Sequence, residues 1–380
     1  MKKTLQALFI ISGVFSALLS AEDGILDGTF GIGDGKVTTG VGTSQDQFYA
    51  VTVQPDGKIV SSGVTFSGVT FNFVVVRYQA NGSLDNTFGS GGKVETVVGT
   101  LDAYANAIAL QSDGKIVVGG YTNDGGTVDS FAVVRYNSDG TLDSTFGSGG
   151  KVVTGIGSTD DKAQSMVLQT DGKIVMAGYS NNGSNTDVAV VRYNSDGTLD
   201  NTFDGDGKVT TAIGSSDEQA NSVTLQPDGK IVVAGYTYNG STNDFAVVRY
   251  NSDGTLDNTF DMDGKAILSI AGIGIKGKSV AMQSDGKIVV AGFNGSGIIV
   301  ARFTGSSSAS LPVELTSFFV GMKGSGVELT WSTATEVNNY GFEVERKQIP
   351  LNPPLQGGKV ERIFLKILNY TFALFKCGDS

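Results

Sequence analysis

One phrase, Gln-x-Asp-Gly-Lys-Ile-Val, begins at Gln54, Gln111, Gln169, Gln226 and Gln283, at intervals of 57, 58, 57 and 57 residues. Self-similarity at a fixed period of that size means one supersecondary unit copied along the chain, so the unit decides the fold before any local reading does. The phrase itself is a polar turn running into a β-branched run. A two-residue Asp-Gly supplies the positive φ of a type I′ hairpin, so a tight reversal is expected at Asp171-Gly172 and at each of its copies.

Residues 142–194 serve as the specimen unit. Leu142-Asp143-Ser144-Thr145-Phe146 opens it and Gly147-Ser148-Gly149-Gly150 follows as a loop. Four strands are then expected: 151–154, 163–169, 173–179 and 187–193. The last two are near-continuous apolar runs without clean alternation, the pattern of strands covered on both faces. A small antiparallel sheet covered on both sides and copied along the chain predicts an all-β fold, a β-propeller of five blades with four antiparallel strands each.

The signature Leu-Asp-x-Thr-Phe-Gly-x-Gly-Gly-Lys-Val, then Gln-x-Asp-Gly-Lys-Ile-Val-Val-Ala-Gly-Tyr, then Phe-Ala-Val-Val-Arg-Tyr-Asn-x-Asp-Gly-Thr-Leu-Asp resembles the delta-60 repeat family, bacterial secreted proteins assigned to β-propellers. The resemblance covers residues 24–303. It implies the fold and a secreted or cell-surface setting, and it lends no activity. The fifth unit departs from the pattern: its loop at 293–297 is short, and Gly274 and Ile275 stand where earlier units carry Asp160-Asp161 or Asp217-Glu218. Terminal repeats are commonly atypical because they meet something other than an identical neighbour.

The flanks read differently. Residues 1–21 have a basic start, an apolar stretch and small residues before Glu22-Asp23, the layout of a cleaved secretory signal; the alternative, a membrane anchor, needs an apolar run of about 20 residues. Residues 22–304 are then the propeller and 305–310 a flexible Gly/Ser linker. Residues 311–347 resemble the first three strands of the fibronectin-type-III-like module that precedes the sorting signal in many type IX-secreted Bacteroidetes proteins. Residues 348–380 hold three of the six prolines and no strand pattern continuing the module, and only part of the roughly 100 residues of such a sandwich remains. The reading frame is therefore expected to have been disrupted near Lys347, which an out-of-frame continuation at the genomic locus would reveal.

Composition narrows the chemistry. The 54 glycines with 9% aromatics suit many tight turns around a packed core rather than disorder. The formal charge of −11, which becomes −13 without Lys2 and Lys3, argues against nucleic acid and anionic membranes, both of which need basic patches. Cys377 is the single cysteine, so no intrachain disulfide forms, and it reads as an incidental thiol. There are no histidines, which removes Ser-His-Asp and Cys-His catalysis and His-ligated zinc.

Three motifs remain as candidate sites. Asn137, Asp139 and Asp143, with Asn194, Asp196 and Asp200, resemble part of a calcium loop, but arginine holds the place of the first acidic ligand and the closing Glu is missing. Asx-turns are the favoured reading, with calcium as the alternative and no other cofactor expected. Gly-Ser-Gly-Gly-Lys at 89–93 and 147–151 lacks the following helix that would hold a phosphate. Tyr121, Tyr179 and Tyr236 end the third strand of their units, where packing between blades is favoured over stacking on a sugar.

The expected function is a non-enzymatic interaction or structural propeller, monomeric, with an extracellular protein or a glycan as partner. The alternative is a carboxylate-based carbohydrate-active enzyme or carbohydrate-binding propeller. Arg77, Arg135, Arg192 and Arg249 each precede an aspartate, Asp85, Asp143, Asp200 and Asp257, which leaves Arg302 and Asp27 over. Closure of a five-bladed ring would bring those two together; an open array would expose two apolar faces and favour oligomers.

Overall fold

A computed structural model describes residues 25–123, 125, 128–270 and 272–305 with their side chains, and 315–323, 326–333, 343–348, 361–367 and 370–375 as backbone strands. The expected signal, most of the linker and Cys377 lie outside the described residues. Five antiparallel sheets follow one another along the chain, each built in simple sequential order. The first holds β1 (Ser44–Val53), β2 (Ile59–Phe66), β3 (Phe71–Tyr78) and β4 (Lys93–Thr96). The second holds β5 (Ala103–Leu110), β6 (Ile116–Asn123), β7 (Asp129–Tyr136) and β8 (Lys151–Thr154). The third holds β9 (Asp161–Leu168), β10 (Ile174–Asn181), β11 (Thr186–Tyr193) and β12 (Lys208–Thr211). The fourth holds β13 (Glu218–Leu225), β14 (Ile231–Tyr238), β15 (Asn243–Tyr250) and β16 (Lys265–Leu268). The fifth has three strands, β17 (Lys276–Met282), β18 (Ile288–Phe293) and β19 (Ile298–Phe303). This is an all-β, five-bladed propeller fold.

The phase of the unit differs from the expectation. Lys151–Thr154 does not open the third blade; it closes the second, pairing with Phe131 to Val134 of β7. The reason lies in the Leu-Asp-x-Thr-Phe-Gly loop. Asp143 N–H donates to Arg135 C=O and Arg135 N–H to Gly150 C=O, so the chain folds back along its own sheet before crossing to the next. The hairpin is also corrected. Gly172 has φ +84° but Asp171 does not share a positive φ, and Gly172 N–H donates to Gln169 C=O at 3.0 Å. That is a three-residue connection ending in a left-handed glycine, not a two-residue type I′ turn.

The core lies between blades rather than inside one. Val60, Phe73 and Val75 of the first blade pack with Ala103, Ala105, Ile116 and Val118 of the second, and the junctions that follow have the same composition. Burial on both faces explains the continuous apolar runs of the middle strands. In the fifth blade, Ile275 stands where Asp161 and Glu218 stand, is buried, and its N–H donates to Asn243 C=O at 2.6 Å, while Gly274 stands where Asp102 and Asp217 accept a backbone N–H from the preceding blade.

The ring does not close by the expected ion pair. Asp27 is exposed and its carboxylate bonds, among the described residues, only Thr29, while Arg302 is exposed and reaches Gln283 Oε1 at 3.4 Å. The four internal pairs do form, with Nε to Oδ2 distances of 2.7 Å for Arg77–Asp85, 2.7 Å for Arg135–Asp143, 2.6 Å for Arg192–Asp200 and 2.7 Å for Arg249–Asp257. Among the described residues the last blade leaves Ile298 and Val300 exposed and the first leaves Phe48 exposed, so each has one uncovered face.

Beyond the propeller, β20 (Leu315–Lys323) pairs with β21 (Gly326–Thr333). Separately, β22 (Glu343–Gln348) pairs with β23 (Glu361–Ile367) and β23 with β24 (Tyr370–Phe375), the last two in a stretch whose sequence shows no strand pattern.

Candidate functional site

The two ends of the blades have different chemistry. At the end carrying the Gln-x-Asp-Gly-Lys hairpins, one assembly repeats. Arg135 is the example: Nε meets Asp143, Nη1 donates to Ser195 C=O of the next blade, Nη2 donates to Thr145 Oγ1 at 3.3 Å, and the guanidinium lies 4.5 Å from the centre of the Phe146 ring. Lys115 Nζ adds a second cation 3.1 Å from the same carboxylate. Burial pushes Asp85 upward, but hydrogen bonds from Thr87, then Arg77 and Lys58, outweigh it and hold its carboxyl at about 2. Asp143, Asp200 and Asp257 are lowered by the same balance of causes. In the first three copies both aspartate oxygens are engaged by arginine, lysine and threonine, so this end is a fastening between blades; in the fourth, Arg249 Nη1 and Asp257 Oδ2 are buried without a hydrogen-bond partner among the described residues.

The calcium candidates fall on this fastening. Asp139 Oδ1 accepts from Thr141 N–H at 2.9 Å and from its hydroxyl at 2.6 Å, and Asp196 repeats the bonds with Thr198. Asn137 and Asn194 donate to Thr141 and Thr198 hydroxyls, while Asp143 and Asp200 face arginines. These are Asx-turns. Among the described residues, no group of three or more His, Cys, Asp or Glu side chains is placed to hold a metal ion.

At the opposite end of the strands the units stop being alike. Tyr104 heads β5, and the aligned residues at the heads of β9, β13 and β17 are Lys162, Gln219 and Lys276. Asp129 opens β7 where the other blades have Phe71, Thr186 and Asn243. These variable positions meet at the junction of the second and third blades. Tyr104 stacks on Tyr121 with ring centres 5.0 Å apart and planes 20° apart, and Phe71 packs on the other side of Tyr104 at 5.6 Å. Lys162 Nζ lies 5.3 Å from the Tyr121 ring centre and 2.9 Å from Asp129 Oδ2. A cavity of about 280 Å³ opens here, lined by Leu101, Asp102, Tyr104, Tyr121, Asn123, Asp129 and Lys162.

Burial lowers the Lys162 ammonium, but its bond to Asp129 and the surrounding anions raise it further, so the side chain stays charged. Burial raises the Tyr121 and Tyr104 phenols, with Asp102 adding to the effect at Tyr104. Both phenols are therefore neutral donors and acceptors. Asp102 Oδ1 already accepts Phe71 N–H of the first blade at 2.9 Å. The ring faces are occupied by one another and by Lys162, so what the pocket offers is its polar edge: hydroxyls, carboxylate oxygens, an amide and an ammonium. Tyr121 and Tyr179 are half-buried and Tyr236, with Lys276 4.7 Å from its ring centre, is buried. The three tyrosines thus pack between blades. Tyr104, Asp129 and Lys162 were not singled out from the sequence; the signal that marks them is their departure from the repeat.

The chain matches, at residues 54–88, 111–146, 169–203, 226–260 and 283–308, a family described as "Domain of unknown function (DUF5122) beta-propeller". No curated protein matches it. Among solved structures it is similar to a protein from Lactobacillus plantarum (11% identity, 89% of this chain and 86% of that one, TM-score 0.40) and to a GH43_1 enzyme from Xanthomonas citri (11%, 69% and 88%, TM-score 0.33). It is also similar to hydrazine synthase from Kuenenia stuttgartiensis (14%, TM-score 0.37), with 68% of this chain covering 37% of that one. At such TM-scores the fold rests on the strands themselves.

Proposed function

We propose that this chain is a secreted or surface-displayed bacterial interaction propeller, not an enzyme, whose ligand is a hydroxyl-rich molecule of the glycan class bound at the pocket between the second and third blades. One observation carries the reading: Tyr104, Asp129 and Lys162 break the repeat and converge on one cavity. Sugar hydroxyls both donate and accept, and the pocket offers acceptors in Asp102 and Asp129, donors in Lys162, and groups of both kinds in Asn123 and the phenols.

The second reading, a carboxylate-based carbohydrate-active enzyme, draws on Asp102 and Asp129 lining the same cavity. It is the weaker one because Asp129 is held by Lys162 and Asp102 by a backbone N–H, leaving neither placed as a free acid. A glycan array on the purified protein, followed by titration of hits with Asp129→Ala and Lys162→Ala, tests both. Binding weakened at least tenfold by each variant, without release of reducing ends, supports the first reading. Release of reducing ends that Asp129→Ala abolishes supports the second, and binding indifferent to both variants removes the pocket from consideration.

A further inference from the structure

Residues 26–39 are a blade edge without a blade. They carry Leu26-Asp27, Thr29-Phe30 and Lys36-Val37-Thr38-Thr39, in the order of Leu84-Asp85, Thr87-Phe88 and Lys93-Val94-Glu95-Thr96. A segment of this type has two jobs. It supplies the fourth strand and the aspartate to the blade before it, and it docks onto the blade after it. The second job is done: Gly31 N–H donates to Asn81 C=O at 2.7 Å, Tyr78 Oη to Thr39 Oγ1 at 2.8 Å, and Lys93 Nζ to Gly40 C=O at 2.7 Å. The sister segment repeats all three contacts, with Gly89 to Asp139, Tyr136 to Thr96 and Lys151 to Val97. The first job is undone, since among the described residues Asp27 faces no arginine.

The other end of the propeller shows the complementary half. Among the described residues the fifth sheet has three strands, and none of those residues pairs with the outer side of β19. Ile298, Val300 and Arg302 occupy the register positions of Phe245, Val247 and Arg249. Ile298 is 86% exposed and Val300 64%, where Phe245 and Val247 are 0% exposed against the following blade. At the front of the first blade, Phe30, Val37, Phe48, Ile59 and Tyr78 line a groove of about 380 Å³. At the next junction the equivalent space is filled by Val60, Phe73 and Val75, whose counterparts on the last blade are Val289, Ile298 and Val300. The groove and the side chains that fit it are thus at opposite ends of one chain.

We propose that the protein associates head to tail with a second copy of itself. Residues 26–39 of one chain add as the fourth strand to β19 of the next, Asp27 receives Arg302, and the first-blade groove takes Ile298 and Val300. The occupant is a second copy because the two halves do not meet within one chain, yet they match in strand type, charge and apolar shape. The interface is heterologous, so it leaves a free half at each end and growth continues until a ring closes. Adding a strand to an open edge satisfies backbone groups that are otherwise left to water.

Charge reversal separates this from closure within one chain. Sedimentation velocity on the full chain should show mass rising with concentration above that of one chain. Asp27→Arg alone and Arg302→Asp alone should each remain single chains, because like charges then meet at every junction. Their equimolar mixture should recover assembly, since each variant's altered end meets the other's complementary end. A wild-type mass of one chain at every concentration overturns the proposal. So does a mixture that stays monomeric beside an assembling wild type. Val300→Lys, at a position exposed in the single chain, should abolish assembly by itself while leaving the far-ultraviolet circular dichroism spectrum unchanged; assembly like wild type would also overturn it.

Discussion

Gly178 and Gly172 lie in one blade and are glycine for different reasons, which makes their alanine variants a quantitative test of the blade geometry. Gly178 sits in β10 where the pairing with β9 skips a residue between Ser165 and Ala163. A Cβ there would stand 1.9 Å from Lys162 C=O oxygen and 2.8 Å from Ala163 Cα. The shortest comfortable C···O separation is about 3.3 Å, so two backbone segments must part by about 1.4 Å. Overpacking a close-packed interior costs about 1–3 kcal/mol, and the top of that range applies because both partners are main chain. Gly172, at φ +84°, has Ser195 Cβ at 3.5 Å as its nearest obstacle, an ordinary contact. Alanine there meets only the left-handed penalty of about 1–2 kcal/mol, and Gly172→Val, with its branched Cβ, should cost at least that. At about 2–4 °C per kcal/mol for a domain approaching this size, Gly178→Ala should lower Tm by about 6–12 °C and Gly172→Ala by about 2–8 °C. Paired thermal melts and urea titrations with unchanged slope measure both. A Gly178→Ala loss equal to or smaller than that of Gly172→Ala refutes the close approach at the bulge.

Three further outcomes follow from the fastening. Asp143→Ala strands the buried Arg135 guanidinium and should destabilise by about 3–5 kcal/mol in urea titration, a loss under 1 kcal/mol showing that the pair is not buried as described. Asp85, Asp143, Asp200 and Asp257 have folded pKa values below the ordinary carboxylate value of about 3.9, so their contribution is complete above it and lost as pH falls through the folded values. Urea midpoints should therefore be level from neutrality to about pH 5 and fall steeply between about pH 4 and 2, and a curve flat to pH 2 would contradict the pairs. Chelator should leave the melting curve in place because the Asp139 and Asp196 oxygens are satisfied by threonine; a fall restored by calcium would overturn the turn assignment.

Much of the architecture was legible because period, apolar runs and turn residues all point one way. The strand boundaries agree to within about two residues, the usual spread of such boundaries. The phase was not legible: Lys151 to Thr154 reads as a strand, but β-branching does not say which neighbour it joins. That choice belongs to Asp143 N–H and Gly150 C=O, which tie the loop to Arg135. The glycine that recurs within the strand after each Gln-x-Asp-Gly-Lys hairpin held more than was read from it. A glycine repeated inside a strand marks a bulge or close backbone approach, and Gly63, Gly120, Gly178, Gly235 and Gly292 all face a carbonyl oxygen within 2.0 Å of the missing Cβ. Ring closure was beyond reach because it depends on the rotation between blades, a sum of small terms that no single residue encodes.

The site was missed for a different reason. Reading five units together draws attention to what they share, and what they share is the fastening: arginine over phenylalanine, aspartate beneath it, threonine at its side. Each blade needs that assembly to hold its neighbour, so the same constraint acts at every copy. The opposite end of the strands carries no such demand. Position 104 is tyrosine, and its counterparts at 162, 219 and 276 are lysine, glutamine and lysine, yet the strands beneath keep the same register and the same bulge. A scaffold that tolerates a phenol, an ammonium and an amide at one address fixes where side chains point without fixing what they are, which is the property a binding surface requires. The junction of the second and third blades is where those free choices collect opposite charges and two phenols around one cavity. Exchanging Tyr104 and Lys162 for the Gln of the fourth blade should therefore erase ligand binding at a cost of no more than about 3 kcal/mol in stability, because the half-buried phenol and ammonium give up a ring stack and an ion pair while Gln keeps part of their packing. A large loss of stability would assign the cluster to the fastening instead, and would move the search for the ligand elsewhere on the propeller.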